Sequence, residues 1–117
     1  MSTVTTVGKS ELGVVDLTGI SDIRIGDFNA VLLEYSTTAD QITLRSSSGS
    51  VNYAVSNGTL FIGPTPRATR SFMNGFVFGH NRAANIDVRV SVPWSAGLGV
   101  TLENCPGNNL IQPSTKL

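Results

Sequence analysis

Two Asn-Gly pairs constrain the fold of this chain more than any other feature. Asn57-Gly58 separates the strand-like runs 51–55 and 59–62, and Asn74-Gly75 separates the runs 71–73 and 76–78. A two-residue turn between antiparallel strands needs positive φ at its central positions, and Asn followed by Gly adopts it at the lowest cost. Both pairs therefore predict β-hairpins.

Short segments of alternating apolar and polar residues recur along the rest of the chain. The clearest one runs through residues 86–92, where Ile and Val alternate with polar residues. Helical periodicity is absent, and strong helix formers are scarce, with three Glu and two Lys. Short strands separated by turn residues predict an all-β fold. We expect a single domain over residues 1–117, mostly antiparallel, built as a sandwich or a short β-solenoid.

The composition is unusually low in charge. Charged residues make up 14% of the 117 residues, and the formal net charge is +0, whereas about a quarter of a typical domain is charged. A soluble monomer usually keeps its net charge away from zero, so this balance favours a virion or cell-surface protein that associates with itself. We expect no membrane span, because no apolar run is long enough. We also expect no signal peptide, because the N-terminus lacks a basic start and an apolar stretch.

The segment 64–84 combines aromatic and basic residues and is the main candidate for a contact surface. If Asn74-Gly75 forms a hairpin, both of its arms are aromatic. The candidate partner-binding residues are Arg67, Arg70, Phe72, Met73, Phe76, Phe78, His80 and Arg82.

Three interpretations of this segment remain open. The phenylalanines belong to the core, or the segment is an exposed arm that inserts apolar side chains into a neighbouring subunit, because aromatic residues, Met and Arg are enriched in interface cores. Single-stranded nucleic acid ranks third and is not expected, because a net charge of zero gives little attraction to phosphates.

The sequence contains no recognisable pattern for catalysis or metal binding. The chain has one His, His80, and one Cys, Cys105. No nucleophile motif surrounds a Ser, and no His, Cys or Asp residues have the spacing of metal ligands. We expect a solvated loop histidine and a small buried cysteine. The protein is therefore predicted to be no enzyme and to need no cofactor.

Several of the strand-like runs resemble a known family. The step Gly58-Thr-Leu-Phe-Ile62 and the step Val88-Arg-Val-Ser-Val-Pro93 follow the runs 23–25, 31–33, 42–44 and 51–55. This order resembles the auto-transporter adhesin (head GIN) domains of bacterial surface proteins over residues 20–104. The resemblance implies a β-rich, solenoid-like fold and a non-enzymatic surface or adhesion role, with no catalytic residues to transfer.

We predict a structural protein that self-associates through β-strands and the aromatic hairpin into a multimer, filament, shell or surface layer. Its partners would be further copies of the chain or other structural subunits, because few charges protect its edge strands from pairing. The alternative is a monomeric, surface-presented binding module for glycan or protein ligands. In that case Trp94, which follows Pro93, would offer a ring on which a sugar stacks.

Overall fold

Ten strands form two five-stranded sheets in the computed structural model, which describes residues 4–64 and 82–113. The strands are β1 (Thr5–Val7), β2 (Gly13–Val15), β3 (Asp22–Gly26), β4 (Ala30–Ser36), β5 (Ile42–Arg45), β6 (Val51–Ser56), β7 (Thr59–Gly63), β8 (Asp87–Pro93), β9 (Gly99–Glu103) and β10 (Leu110–Pro113). A single 3-10 turn, Trp94–Ala96, follows β8 directly within the described part of the chain. The predicted all-β class is confirmed, and of the two expected architectures the structure is the sandwich.

The two sheets have matching strand orders. Sheet A has the order β1-β6-β7-β3-β9, and sheet B has the order β2-β5-β8-β4-β10. At each position the two sheets therefore hold strands that are consecutive in the sequence. We call each such pair a layer, and the sandwich consists of the layers β1/β2, β6/β5, β7/β8, β3/β4 and β9/β10.

The direction of pairing differs from the sequence-based expectation of a mostly antiparallel fold. Of the eight strand pairings among the described residues, four are antiparallel. The other four are parallel and join β3 to β7 and β9, and β4 to β8 and β10. Three layers thus stack in one direction, as successive coils of a β-solenoid do, because each of them runs from sheet A to sheet B.

The first Asn-Gly pair forms the predicted hairpin. Asn57 and Gly58 have φ values of 51° and 80°, and they join β6 to β7 with Ser56 opposite Thr59. Positive φ at both central positions matches the twist of the flanking strands. Asn74-Gly75 and the hairpin predicted around it lie outside the described residues.

The connections inside the layers, which we call corners, lie on one side of the sandwich. Among the described residues they comprise 8–12, 27–29, 46–50, 104–109 and the two ends of the connection from β7 to β8, residues 64 and 82–86. Backbone hydrogen bonds link neighbouring corners. Ala84 N–H donates to Asp27 O at 2.8 Å, and Asn29 N–H donates to Ile86 O at 2.9 Å. These bonds extend the ladder of the sheets around the corners and fix the register of one layer on the next.

The core lies between the sheets and follows from the period-two pattern of the strands. Alternate side chains of β3, β4 and β8 point inward, among them Ile23, Leu33 and Val90, which are buried. Phe28, in the corner between β3 and β4, is fully buried as well. The alternation at residues 86–92 predicted from the sequence corresponds to β8.

Candidate functional site at the open end of the sandwich

The predicted contact surface lies mostly outside the described residues. The residues that fall there are Arg67, Arg70, Phe72, Met73, Phe76, Phe78 and His80. Arg82 is described and is exposed, on the chain that leads back to β8. The start of the segment is anchored, because buried Pro64 accepts a hydrogen bond from Asn52 Nδ2 through its carbonyl at 2.9 Å. The contact role of residues 64–84 stays a prediction.

At the β1/β2 end of the sandwich the inward-facing side chains are buried, and we call it the closed end. A Cβ atom on Gly13 would lie 2.6 Å from Val7 Cγ2 and 3.2 Å from Leu44 Cδ1, so the absence of a side chain lets the two sheets approach closely here. Val7 and Val15, the inward-facing valines of this layer, are buried. Both edge strands are short, which is one way in which proteins limit pairing with other chains.

No described residue covers the β9/β10 end, which we call the open end. In the register of the sheets, Val100 and Leu102 lie opposite the buried residues Ile23 and Ile25, yet they are only partly buried. Ile111 lies opposite Leu33 in the parallel pair β10–β4. Leu33 is 1% exposed, whereas Ile111 is 58% exposed. Inward-facing apolar side chains of this layer therefore reach the surface of the described structure.

The backbone edges at this end carry little protection against pairing. Edge strands are usually guarded by charges, Pro, bulges or short length. Glu103 is the one charged residue of β9, and β10 has none. The Glu103 carboxylate accepts a hydrogen bond from Arg24 Nε at 2.7 Å, and the Arg24 guanidinium lies 5.5 Å from the centroid of the Phe61 ring. The charge is thus engaged within sheet A, and only Pro113 interrupts the edge, at the end of β10.

Side-chain hydrogen bonds hold the corner of this last layer in place. Asn104 Nδ2 donates to Asp27 Oδ1 at 2.7 Å. Asn109 Oδ1 accepts from Val31 N–H at 2.8 Å, while its Nδ2 donates to Cys105 O at 2.9 Å. Both asparagines thereby connect the last corner to the layer β3/β4.

Cys105 lies in the same corner and packs against the core. Burial raises the pKa of its thiol above the ordinary value, and Sγ donates a weak hydrogen bond to Glu103 O at 3.4 Å. The thiolate is the nucleophilic form of cysteine, so a raised pKa leaves this side chain poorly reactive at neutral pH.

Trp94 is the one aromatic side chain among the described residues that is largely exposed. It lies in the 3-10 turn after β8 and is 60% exposed. Tyr35 contacts it edge to face, with ring centroids 5.9 Å apart and an interplanar angle of 87°. This contact orients the indole ring while a large part of its surface remains open to solvent.

The described residues contain little that resembles a reaction site. Nowhere among them do three or more His, Cys, Asp or Glu side chains come together as metal ligands. An open groove of about 520 Å³ beside β1 and β2 includes Glu11 and Tyr53, and the Glu11 carboxylate already accepts a hydrogen bond from Gly8 N–H at 2.7 Å. In the described ranges, no helix has the length and hydrophobicity needed to cross a membrane.

Comparison with known proteins adds no relative. No family model, no curated protein and no solved structure matches this chain. The resemblance to head GIN domains over residues 20–104 therefore stays a prediction.

Proposed function

We propose that this protein is a non-enzymatic structural protein that self-associates through the edges of its β-sheets. The observation that carries the proposal is the β9/β10 layer. It presents two sheet edges side by side, with one charged residue between them and with Ile111 58% exposed at an inward-facing position. The aromatic segment 64–84 is a second contact in this proposal and rests on the sequence alone.

Two favourable free-energy terms promote association at the open edges. Pairing of a further strand satisfies backbone N–H and C=O groups along each open edge. Covering the inward-facing side chains removes apolar surface from water, which is worth about 25 cal/mol per Å². Interfaces of permanent assemblies resemble a domain core cut in half, and the exposed end of this core has that character.

The low charge of the chain supports the same conclusion. A net charge of +0 provides no long-range repulsion between copies. The contact expected here is apolar and made by the backbone, so high ionic strength should not dissociate it.

The decisive experiment measures the mass of the full chain in solution. Sedimentation velocity and light scattering over a wide range of protein concentration should show a multiple of the 12.3 kDa chain mass, at both low and high salt. A monomer at every concentration would contradict the proposal.

Deleting residues 67–82 tests the contribution of the aromatic segment. We expect the shortened chain to keep a β-type circular dichroism spectrum and to assemble less strongly than the full chain. Assembly equal to that of the full chain would remove the aromatic segment from the proposal. Loss of the β-type spectrum would do so too, because it would assign the segment to the core.

One observation favours a second candidate, a surface-presented module that binds glycans. Trp94 is 60% exposed and is oriented by Tyr35, and exposed aromatic rings of this kind stack on sugars. The test is a titration of Trp fluorescence with a panel of oligosaccharides. Saturable quenching that disappears in Trp94→Ala would support this candidate, and no response to any sugar would dismiss it.

A further inference from the structure

We propose that two copies of this chain join at their β9/β10 ends around a two-fold axis, so that both sheets continue from one copy into the other. In this arrangement β9 pairs antiparallel with β9 of the second copy, and β10 pairs antiparallel with β10. The inference rests on the proposed self-association and specifies the surface and the partner.

The shape of the open end indicates a second copy rather than a peptide. The end presents two edges, one in each sheet, and packed sheets lie about 10 Å apart. A single extended peptide would complete one edge and leave the other edge and the apolar side chains between them exposed. A second copy brings two strands with the same spacing, together with the same apolar residues.

The difference between the two ends favours a two-fold contact over head-to-tail stacking. In head-to-tail stacking, the five-residue β9 would have to pair with the three-residue β1 of the next copy. The β1/β2 end also buries its inward-facing residues Val7 and Val15, whereas the inward-facing Ile111 of the open end is 58% exposed. The open end is complementary to itself, as an isologous interface requires.

Strand periodicity restricts the register of the β9 pair. An axis perpendicular to the sheets keeps inward-facing residues inward, so Val100 and Leu102 must lie opposite inward-facing residues of the second copy. The axis must then pass through a residue position, and the middle of β9 is Thr101, which is outward-facing and exposed. In this register Gly99 lies opposite Glu103 of the second copy, and no like charges face each other.

Two lysine substitutions of equal exposure test the location of the contact. Ile111 and Leu12 are both 58% exposed, at the open end and near the closed end respectively. Ile111→Lys should raise the dimer Kd by about 100-fold, because two copies of the isoleucine lose their burial and two charges enter the contact. Leu12→Lys should leave the Kd unchanged. Equal effects of both substitutions, or no effect of either, would overturn the inference.

Cross-linking tests the two-fold arrangement through the formation of a covalent dimer rather than through a loss of dimer affinity. In a Cys105→Ser background, Thr101→Cys places two thiols opposite each other across the axis, within the range in which a disulfide forms. Mild oxidation should convert this single variant into a covalent dimer. Thr6→Cys, an exposed position on β1, should give no covalent dimer.

The outcomes separate this inference from the proposed function. A cross-link that forms only between Thr101→Cys and Thr6→Cys chains would show head-to-tail stacking, which overturns the two-fold arrangement and leaves self-association intact. A wild-type assembly that grows beyond two copies through contacts between β9 strands would also overturn the two-fold arrangement, because a two-fold contact closes after two copies. A wild-type chain that is monomeric at every concentration would overturn both.

Discussion

The last corner of the sandwich depends on a glycine that has no room for a side chain. A Cβ atom on Gly107 would lie 2.5 Å from the backbone oxygen of Asn29 and 2.9 Å from its Oδ1. The Gly107 N–H donates to the same backbone oxygen at 2.6 Å. Relief of the clash must move one corner away from the other, because a backbone carbonyl in a paired corner cannot rotate out of the way.

The expected cost of Gly107→Ala follows from these contacts. Overpacking costs about 1–3 kcal/mol, and loss of the backbone hydrogen bond adds about 1 kcal/mol. The free energy of unfolding should therefore fall by about 2–4 kcal/mol. For a domain of this size, that loss lowers Tm by roughly 8–16 °C.

Gly99→Ala, at the start of β9, is the matched control. Its Cβ would meet Asp22 Oδ1 at 2.7 Å, but Asp22 is exposed and its carboxylate can turn away. We expect Tm within about 2 °C of wild type, since Gly→Ala also lowers the entropy of the unfolded chain. Thermal unfolding is followed by circular dichroism at low protein concentration. If Gly107→Ala melts together with Gly99→Ala, the stacked corners are not tightly packed and the reasoning fails.

Three further predictions concern the turn, the core and the cysteine. Gly58→Ala should cost about 1–2 kcal/mol in urea unfolding, because φ is +80° at this position; an unchanged midpoint would contradict the turn geometry. Phe28→Ala should cost about 3–5 kcal/mol in the same assay, because the ring is fully buried, and a loss below 1 kcal/mol would argue against that burial. Burial raises the native pKa of Cys105, so its contribution to stability is present below the unfolded pKa and is lost as the pH rises through the native value. Unfolding of wild type and Cys105→Ser at increasing alkaline pH checks this, and identical pH profiles would contradict it.

Local patterns predicted the elements of this fold well, and long-range patterns predicted their arrangement poorly. Asn57-Gly58 is a two-residue signal for a two-residue turn, so the hairpin β6–β7 follows from the sequence. The parallel pairs differ, because β3 and β9 are far apart in the chain and neither strand carries a mark of its partner. A prediction from hairpin signals alone therefore overestimates the fraction of strand pairs that are antiparallel.

The same difference between local and long-range patterns applies to the candidate site. The aromatic residues at 72–78 indicate a contact surface by their composition, but they lie outside the described residues, so their contact role stays a prediction. The residues around Val100 and Ile111 carry no local signal for an edge strand, because the position of a strand in a sheet depends on the sheet order, which is a non-local property. The signal that identifies the site is the contrast between Ile111 and its buried neighbour Leu33, and it exists only in three dimensions.

The unequal lengths of neighbouring corners have a practical consequence for engineering. Residues 27–29 are enough to lead the chain from one sheet to the other, while residues 64–86 make the same crossing in the adjacent layer. Hydrogen bonds from Ala84 to Asp27 and from Asn29 to Ile86 tie the two crossings together where the longer one returns. Asn52 holds Pro64 where the longer connection begins, and Asp27 holds Ala84 where it returns. A change of length or sequence between Pro64 and Ala84 therefore begins and ends at points that hydrogen bonds fix to the sandwich.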